Sequence, residues 1–276
     1  MAHVKAKKYL GQHFLRDTDV ARRIVESLPL DDASCVLEIG PGMGVLTRFL
    51  IQIPNIRLKA IEIDTESVNY LRFHYPQLDL LEGDFLKISP DKIFPEKRDV
   101  KYTIIGNFPY NISSQIFFNV LDNRDSIPHV VCMIQKEVAE RMAAKSGSKT
   151  YGILSVLMQA FYSIDYLFTV HEHVFDPPPK VKSAVIRLTR NDIEHIQCDE
   201  QLFKTVVKTA FNQRRKTMRN SLKPLVPKES PMYNNPLFDK RPEQLDVQTF
   251  VELTNMVATA LQSIKKQINV QPYEKK

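Results

Sequence analysis

The sequence predicts a doubly wound α/β domain followed by a small all-helical domain, and three observations carry that prediction. Apolar runs of strand length recur near residues 36, 60, 80, 104, 131, 166 and 186, and helical patterns alternate with them except near the end. Those runs make a seven-stranded sheet closed by a terminal hairpin. Two of the strands run directly into glycine- or proline-marked turns behind which a helix opens, at residues 40–44 and 106–113. Past residue 191 strand alternation stops, and helical patterns cover 199–212, about 215–222 and 247–265. The predicted domains are therefore 1–190, beginning with a basic segment at 1–16, and 191–276.

Residues 1–16 carry Lys5, Lys7 and Lys8, which suit either solvent or phosphate, and end in Gly11-Gln12-His13-Phe14-Leu15. Asp17 or Thr18 caps a helix running to about Leu28, with Val20, Ile24 and Leu28 on one face. A strand through Val36, Leu37 and Ile39 then enters Gly40-Pro41-Gly42-Met43-Gly44. Glycines at Gly40 and Gly42 let a ligand approach the backbone at a helix N-terminus. The third slot of the dinucleotide fingerprint is Val45, so the pattern is E-x-G-x-G-x-G, which suits a nucleoside-plus-amino-acid cofactor better than a pyrophosphate.

The next strand ends in Glu62 and Asp64, either of which can grip ribose hydroxyls. A short strand stops at Asp84, where a carboxylate can accept from a base amine or form a turn. The strand through Tyr102, Ile104 and Ile105 breaks at Gly106 and is followed by Asn107-Phe108-Pro109-Tyr110. Asn and Pro are turn formers. They also place an amide oxygen and a free carbonyl beside an aromatic ring, which suits a flat base bearing an exocyclic amine. Two acceptors aimed at one amino group would draw its lone pair out of conjugation.

His171 and His173 lack an evident third ligand, so no metal is expected. The loop Asp176-Pro177-Pro178-Pro179 holds Phe175 either in the core or at a pocket rim. Arg214, Arg215, Lys216, Arg219 and Lys223 cluster beside Phe211, as a solvated face or as phosphate contacts.

Composition narrows the class. Of 276 residues, 43% are hydrophobic and 25% charged, which suits a soluble globular chain, and the net charge of +6 with pI near 9.1 mildly favours a polyanionic partner. Cys35, Cys132 and Cys198 are scattered, as expected in a reducing compartment. With no apolar run of membrane-spanning length and no secretory pattern, a cytoplasmic protein is expected, with a monomer as the default oligomeric state.

The motifs GQHFL, VLEIGPGMGVLT, IEID, EGDFLK, NFPYNIS, VFDPPPKVKSAVIRL, FNQRRKTMRNSLK and RPEQLDVQTFVELTN follow in that order over nearly the whole chain. In them the chain resembles the ribosomal RNA adenine dimethyltransferases, in particular the small-subunit group linked to kasugamycin sensitivity. The resemblance implies a Rossmann-like methyltransferase fold and S-adenosylmethionine as cofactor. The implied reaction puts two methyl groups on N6 of each of two adjacent adenosines near the 3′ end of 16S rRNA, with the small ribosomal subunit as partner and a role in its maturation. It implies cofactor contacts at His13, Leu15, Gly40, Glu62, Asp84 and Asn107, and so favours Glu62 over Asp64. It gives Asn107 and the Pro109 carbonyl the amine-polarising role, Tyr110 the stacking role and Phe175 a second wall. His13 stands where relatives often carry Asn, and Phe108 where Leu is usual. Large-subunit methylases of the macrolide-resistance type are the nearest rivals, and the tail motif and the FNQRRKTMRN run favour the small-subunit group. An assembly factor acting by binding is a further alternative; a nicotinamide oxidoreductase is disfavoured by the missing third glycine.

Overall fold

The computed structural model describes residues 4–30, 34–95 and 100–270, with side chains through residue 264. After a 3-10 turn at Lys8–Leu10 come β1 (Phe14–Leu15), α1 (Thr18–Glu26), β2 (Cys35–Ile39), α2 (Thr47–Leu50), β3 (Arg57–Glu62), α3 (Thr65–His74) and β4 (Asp79–Glu82). Then follow β5 (Tyr102–Asn107), α4 (Ser113–Asp122), β6 (His129–Gln135), α5 (Lys136–Ala143), α6 (Ile153–Gln159), β7 (Tyr162–Val170), β8 (Phe175–Asp176) and β9 (Ser183–Arg190). The last helices are α7 (Glu200–Asn212), α8 (Met218–Ser221) and α9 (Val247–Val270).

The chain divides into two compact units. The first runs to Ala143 and resumes over Phe161–Asp192; the second comprises Ala144–Ala160 and the residues from Ile193 onward. The contiguous 1–190 domain expected from sequence is thus interrupted. The reason lies in α6, whose Leu154, Val156, Leu157 and Met158 are all buried and which packs on α7 and α9. A helix apolar on every side takes whichever unit can surround it. Within the second unit Phe211 contacts Tyr151 and Phe250, at ring-centroid distances of 6.2 and 5.9 Å. The predicted helix over 215–222 is shorter, confined to Met218–Ser221.

In the first unit seven strands form a sheet in the order β4-β3-β2-β5-β6-β9-β7. The strands β2 to β6 are parallel; β9 is antiparallel to β6, and β7 to β9. All five residues of β2 are buried, as a central parallel strand covered on both faces requires. Asp17, not Thr18, caps α1, accepting from the N–H groups of Asp19 and Val20 at 2.9 and 3.0 Å. The buried face of α1, Ala21, Ile24 and Val25, joins Val36, Ile105, Val131 and Met133 in one cluster. β5 passes so near β2 that a Cβ on Gly106 would lie 2.5 Å from the Ile39 carbonyl oxygen; only glycine permits that approach.

β2, β3 and β4 are laid down outward to one side and β5 and β6 to the other, so the order of strands reverses between the parallel neighbours β2 and β5 and the loops leaving their carboxyl ends diverge. That crevice is where open α/β sheets bind ligands. A second, two-stranded sheet pairs β1 with β8, Leu15 opposite Phe175. It carries the N-terminal segment to the same sheet edge.

Candidate active site

The crevice is a pocket lined by residues 10–15, the glycine loop after β2, the end of β3, Gly83–Phe85, and Asn107 to Tyr110. Gly40 has φ +66° and hydrogen-bonds through its N–H to Ile61 O at 2.9 Å. A Cβ there would meet nothing within 4 Å, so the loop presents bare backbone to open space in the pocket. Gly42, also in the left-handed region, donates its N–H to Glu62 Oε2 at 3.0 Å.

Glu62 is 4% exposed. Its Oε1 accepts from the N–H groups of Ile63 and Asp64, both at 2.9 Å, which leaves the second lone pair of Oε2 unused by these bonds. Burial raises its pKa against the pull of those three backbone donors. Asp64 lies outside the pocket lining and caps α3. Its oxygens accept from Lys7 Nζ, Gln12 Nε2 (3.2 Å), the Glu66 N–H (3.2 Å) and Ser67 Oγ (3.1 Å). Burial disfavours its charge, but these donors together hold its carboxyl below the usual range. Of the two acids sequence left open, Glu62 faces the pocket and Asp64 is committed elsewhere. Asp84 lines the pocket while its Oδ1 caps the following turn, accepting from the Leu86 N–H at 3.0 Å.

Asn107 donates through Nδ2 to the His13 carbonyl at 2.9 Å, which fixes the amide and leaves Oδ1 as its acceptor. The Pro109 carbonyl accepts from the Ile112 N–H at 3.2 Å and keeps one lone pair. The Tyr110 hydroxyl is hydrogen-bonded to the buried Ser183 hydroxyl, and its ring lies 5.4 Å from that of His13. Burial raises the Tyr110 pKa despite the Ser183 bond, so the phenol stays neutral. His13 Nδ1 is 2.7 Å from the Pro177 carbonyl, so that nitrogen carries the proton. Leu15 is buried and completes the wall. Two acceptor-bearing residues and a neutral ring thus line the pocket at the carboxyl end of β5, a set suited to a base with an exocyclic amine.

A family model described as "Ribosomal RNA adenine dimethylase" matches residues 3–259. The chain belongs to that family. It is a methyltransferase, and the family's methyl donor is S-adenosylmethionine. The chain is 60% identical over 256 residues to the "Ribosomal RNA small subunit methyltransferase A" of Parabacteroides distasonis, covering 92% of this chain and 94% of that one. Among solved structures, a dimethyladenosine transferase from Plasmodium falciparum is similar with TM-score 0.73 and 26% identity, covering 92% of this chain and 98% of that one. The 23S rRNA methyltransferase ErmE is similar at TM-score 0.62 and 25% identity, covering 89% of this chain and 99% of that one.

One predicted site residue of this dimethylase does not reach the pocket. Phe175, expected from the resemblance as a second stacking wall, is 4% exposed and lies in the cluster with Leu15, Ile24 and Val185. Its pairing opposite Leu15 in β1–β8 draws the ring into the core. In the basic cluster, Arg214 donates to the carbonyls of Ser148 and Lys149, and Arg219 pairs with Asp239 and donates to the Tyr233 carbonyl. Both tie loops of the second unit together. Arg215, Lys216 and Lys223 are exposed.

Sequence reasoning left Glu38 without a role, although it is the acid of E-x-G-x-G-x-G. It lines the pocket and is 1% exposed; Thr47 Oγ1 donates to its Oε2 at 2.6 Å, and Oε1 has no partner among the described residues. Burial, opposed by the Thr47 bond and reinforced by the charge of Glu62, pushes its carboxyl up from 4.5 to about 8. The folded state therefore binds a proton that the unfolded state releases. Stability from this group is complete below about 4.5 and is lost as pH rises through about 8. Glu38→Gln, neutral at every pH, is expected to raise the melting temperature of the ligand-free enzyme near pH 8.5 and change it little near pH 5. A gain larger at the acid end would contradict the sign.

Proposed function

We propose that this enzyme transfers two methyl groups to N6 of each of two adjacent adenosines near the 3′ end of 16S rRNA, acting as a cytoplasmic monomer on the small ribosomal subunit during its maturation. The observation that carries this reading is the Asn107 amide. Its Nδ2 is held by the His13 carbonyl, and its Oδ1 is left to accept beside the Tyr110 ring.

The residues present fit the family's cofactor. Gly40 offers bare backbone, Gly42 holds Glu62 through its N–H, the Glu62 carboxylate keeps an acceptor for a ribose hydroxyl, and Asp84 can accept from the adenine amine. His13, Leu15 and Asn107 complete that wall. When bound, S-adenosylmethionine supplies the methyl group as an electrophile carried on a sulfonium. The chain's own work is orientation. The target adenosine leaves its stack, at about a few kcal/mol, and lies against Tyr110, whose ring is worth about 1–3 kcal/mol as a platform. Asn107 Oδ1 and the Pro109 carbonyl accept from N6 and turn its lone pair towards the donor. No side chain need act as a strong base, because a methylated N6 is acidic and loses its proton to water. A second round needs only a pocket that admits one N-methyl.

Arg215, Lys216 and Lys223 are read as phosphate contacts of the second unit. Replacing all three by Ala is expected to weaken RNA binding and to flatten the slope of log K against log salt by about 2–3, three contacts at roughly 0.7–0.9 each. Filter binding across a salt series measures both; an unchanged slope returns the cluster to a solvated face.

The reading is tested by methyl transfer from labelled S-adenosylmethionine to small subunits lacking the modification, with nucleosides identified after digestion. Label in N6,N6-dimethyladenosine from 16S rRNA supports it. Label confined to large-subunit RNA, or binding of the particle with no transfer, overturns it. The 60% identity to a small-subunit enzyme against 25% to a 23S enzyme favours the first result.

A further inference from the structure

We propose that Lys7, Gln12 and Asp64 form a latch that holds the N-terminal segment against the cofactor pocket and, through the His13 carbonyl, sets the Asn107 amide. They are positioning residues of the methyl-transfer site, and this inference rests on the reading of Asn107 given above.

The segment from Lys7 to Arg16 is fastened at both ends. At the far end the Arg16 N–H donates to the Val174 carbonyl at 2.8 Å, Arg16 pairs with Asp176, and β1 lies along β8. At the near end Asp64, 2% exposed, receives the Lys7 ammonium on Oδ1 and the Gln12 amide on Oδ2. Lys7 Nζ is also 3.4 Å from Glu66. Lys7 and Gln12 are closed on each other, since the Lys7 N–H donates to Gln12 Oε1 at 2.8 Å and the Leu10 N–H to the Lys7 carbonyl at 3.0 Å. Between the fastenings, Leu10 to Leu15 line the pocket.

Asp64 stands at a junction. Its side chain holds the segment, and its backbone N–H holds Glu62 Oε1. A continuous path therefore runs from the Glu62 carboxylate through Asp64, Gln12 and His13 O to the Asn107 amide. A charge pair that is nearly dry on the acid side is not screened as a surface pair is, and removing one partner leaves the other buried and underpaired. The helix does not need this arrangement: Asp64 caps α3 by accepting from the Glu66 N–H, and the Ser67 hydroxyl donates to it, without Lys7.

The test uses the full chain with Lys7→Met, Asp64→Asn and the conservative Lys7→Arg. Asn caps a helix as Asp does, so Asp64→Asn removes the charge and keeps the cap. Three quantities are read: hydrogen exchange of amides 8–15 without ligand, the dissociation rate of S-adenosylhomocysteine, and kcat against KM for the small subunit. Lys7→Met and Asp64→Asn are expected to speed exchange and dissociation by about tenfold each and to lower kcat with KM for RNA held. Lys7→Arg is expected to restore all three, and Lys7→Met is expected to stay folded with a lowered melting temperature, because Asp64 keeps the donors of Gln12, Glu66 and Ser67. Unchanged exchange and dissociation in Lys7→Met overturn the latch. An unchanged enzyme that binds S-adenosylhomocysteine but methylates no small-subunit adenosine overturns the functional reading instead, and leaves the exchange result to decide the latch.

Discussion

An Asn107→Ala enzyme is expected to lose about 10²–10³-fold in kcat, the scale on which removal of one preorganised polar group acts in a transition state. Its affinity for S-adenosylhomocysteine is expected to fall far less. The reason is the division of labour in the amide. Nδ2 makes one neutral hydrogen bond, to His13 O at 2.9 Å, worth about 1 kcal/mol net. On the proposed reading Oδ1 accepts from the incoming amine, and the stabilisation it gives would grow as N6 becomes positively charged. Single-turnover methylation of purified small subunits, set beside calorimetric titration of the cofactor product, separates the two atoms' roles. Equal losses in rate and affinity would assign Asn107 to cofactor binding alone.

Replacement of Glu62 has the opposite signature. Glu62→Ala is expected to weaken S-adenosylhomocysteine binding by about 10- to 10²-fold, because a hydrogen bond to a charged group is worth roughly 1.5–3 kcal/mol and Oε2 keeps one lone pair for a ribose hydroxyl. It also strips the acceptor from the N–H groups of Gly42, Ile63 and Asp64, so the melting temperature should fall with it. Glu62→Gln keeps the volume and separates these effects: affinity is expected to drop with less loss of stability. A Glu62→Gln enzyme binding as tightly as the unchanged one would move the ribose contact elsewhere in the pocket. Asp64 is not the alternative, since its oxygens are already taken by α3, Lys7 and Gln12.

Much of the site was legible because its signals are local. Gly40 and Gly42 announce a left-handed loop, Gly106 a close strand approach, and Asn107-Phe108-Pro109-Tyr110 a turn rich in acceptors, each within a few residues. The family motifs then ranked Glu62 over Asp64; Glu62 lines the pocket and Asp64 does not. What local signals missed were partnerships across the chain. Ser183 behind Tyr110, Pro177 beside His13 and Lys7 on Asp64 join residues 73, 164 and 57 positions apart. Nothing in either partner's neighbourhood specifies the other.

By itself the sequence determined the seven strands, their alternation with helices, the two loops at the switch point and the chemistry those loops carry. Periodicity and turn sterics act over a few residues, and a parallel sheet with short connections leaves few topologies open. Tertiary structure alone decided that Phe175 turns inward opposite Leu15, that 144–160 joins the second unit, that Arg214 and Arg219 hold loops, and that the N-terminal segment walls the pocket. Those outcomes depend on which buried surface or unpaired charge finds its complement after collapse, a choice made by packing and desolvation among distant groups.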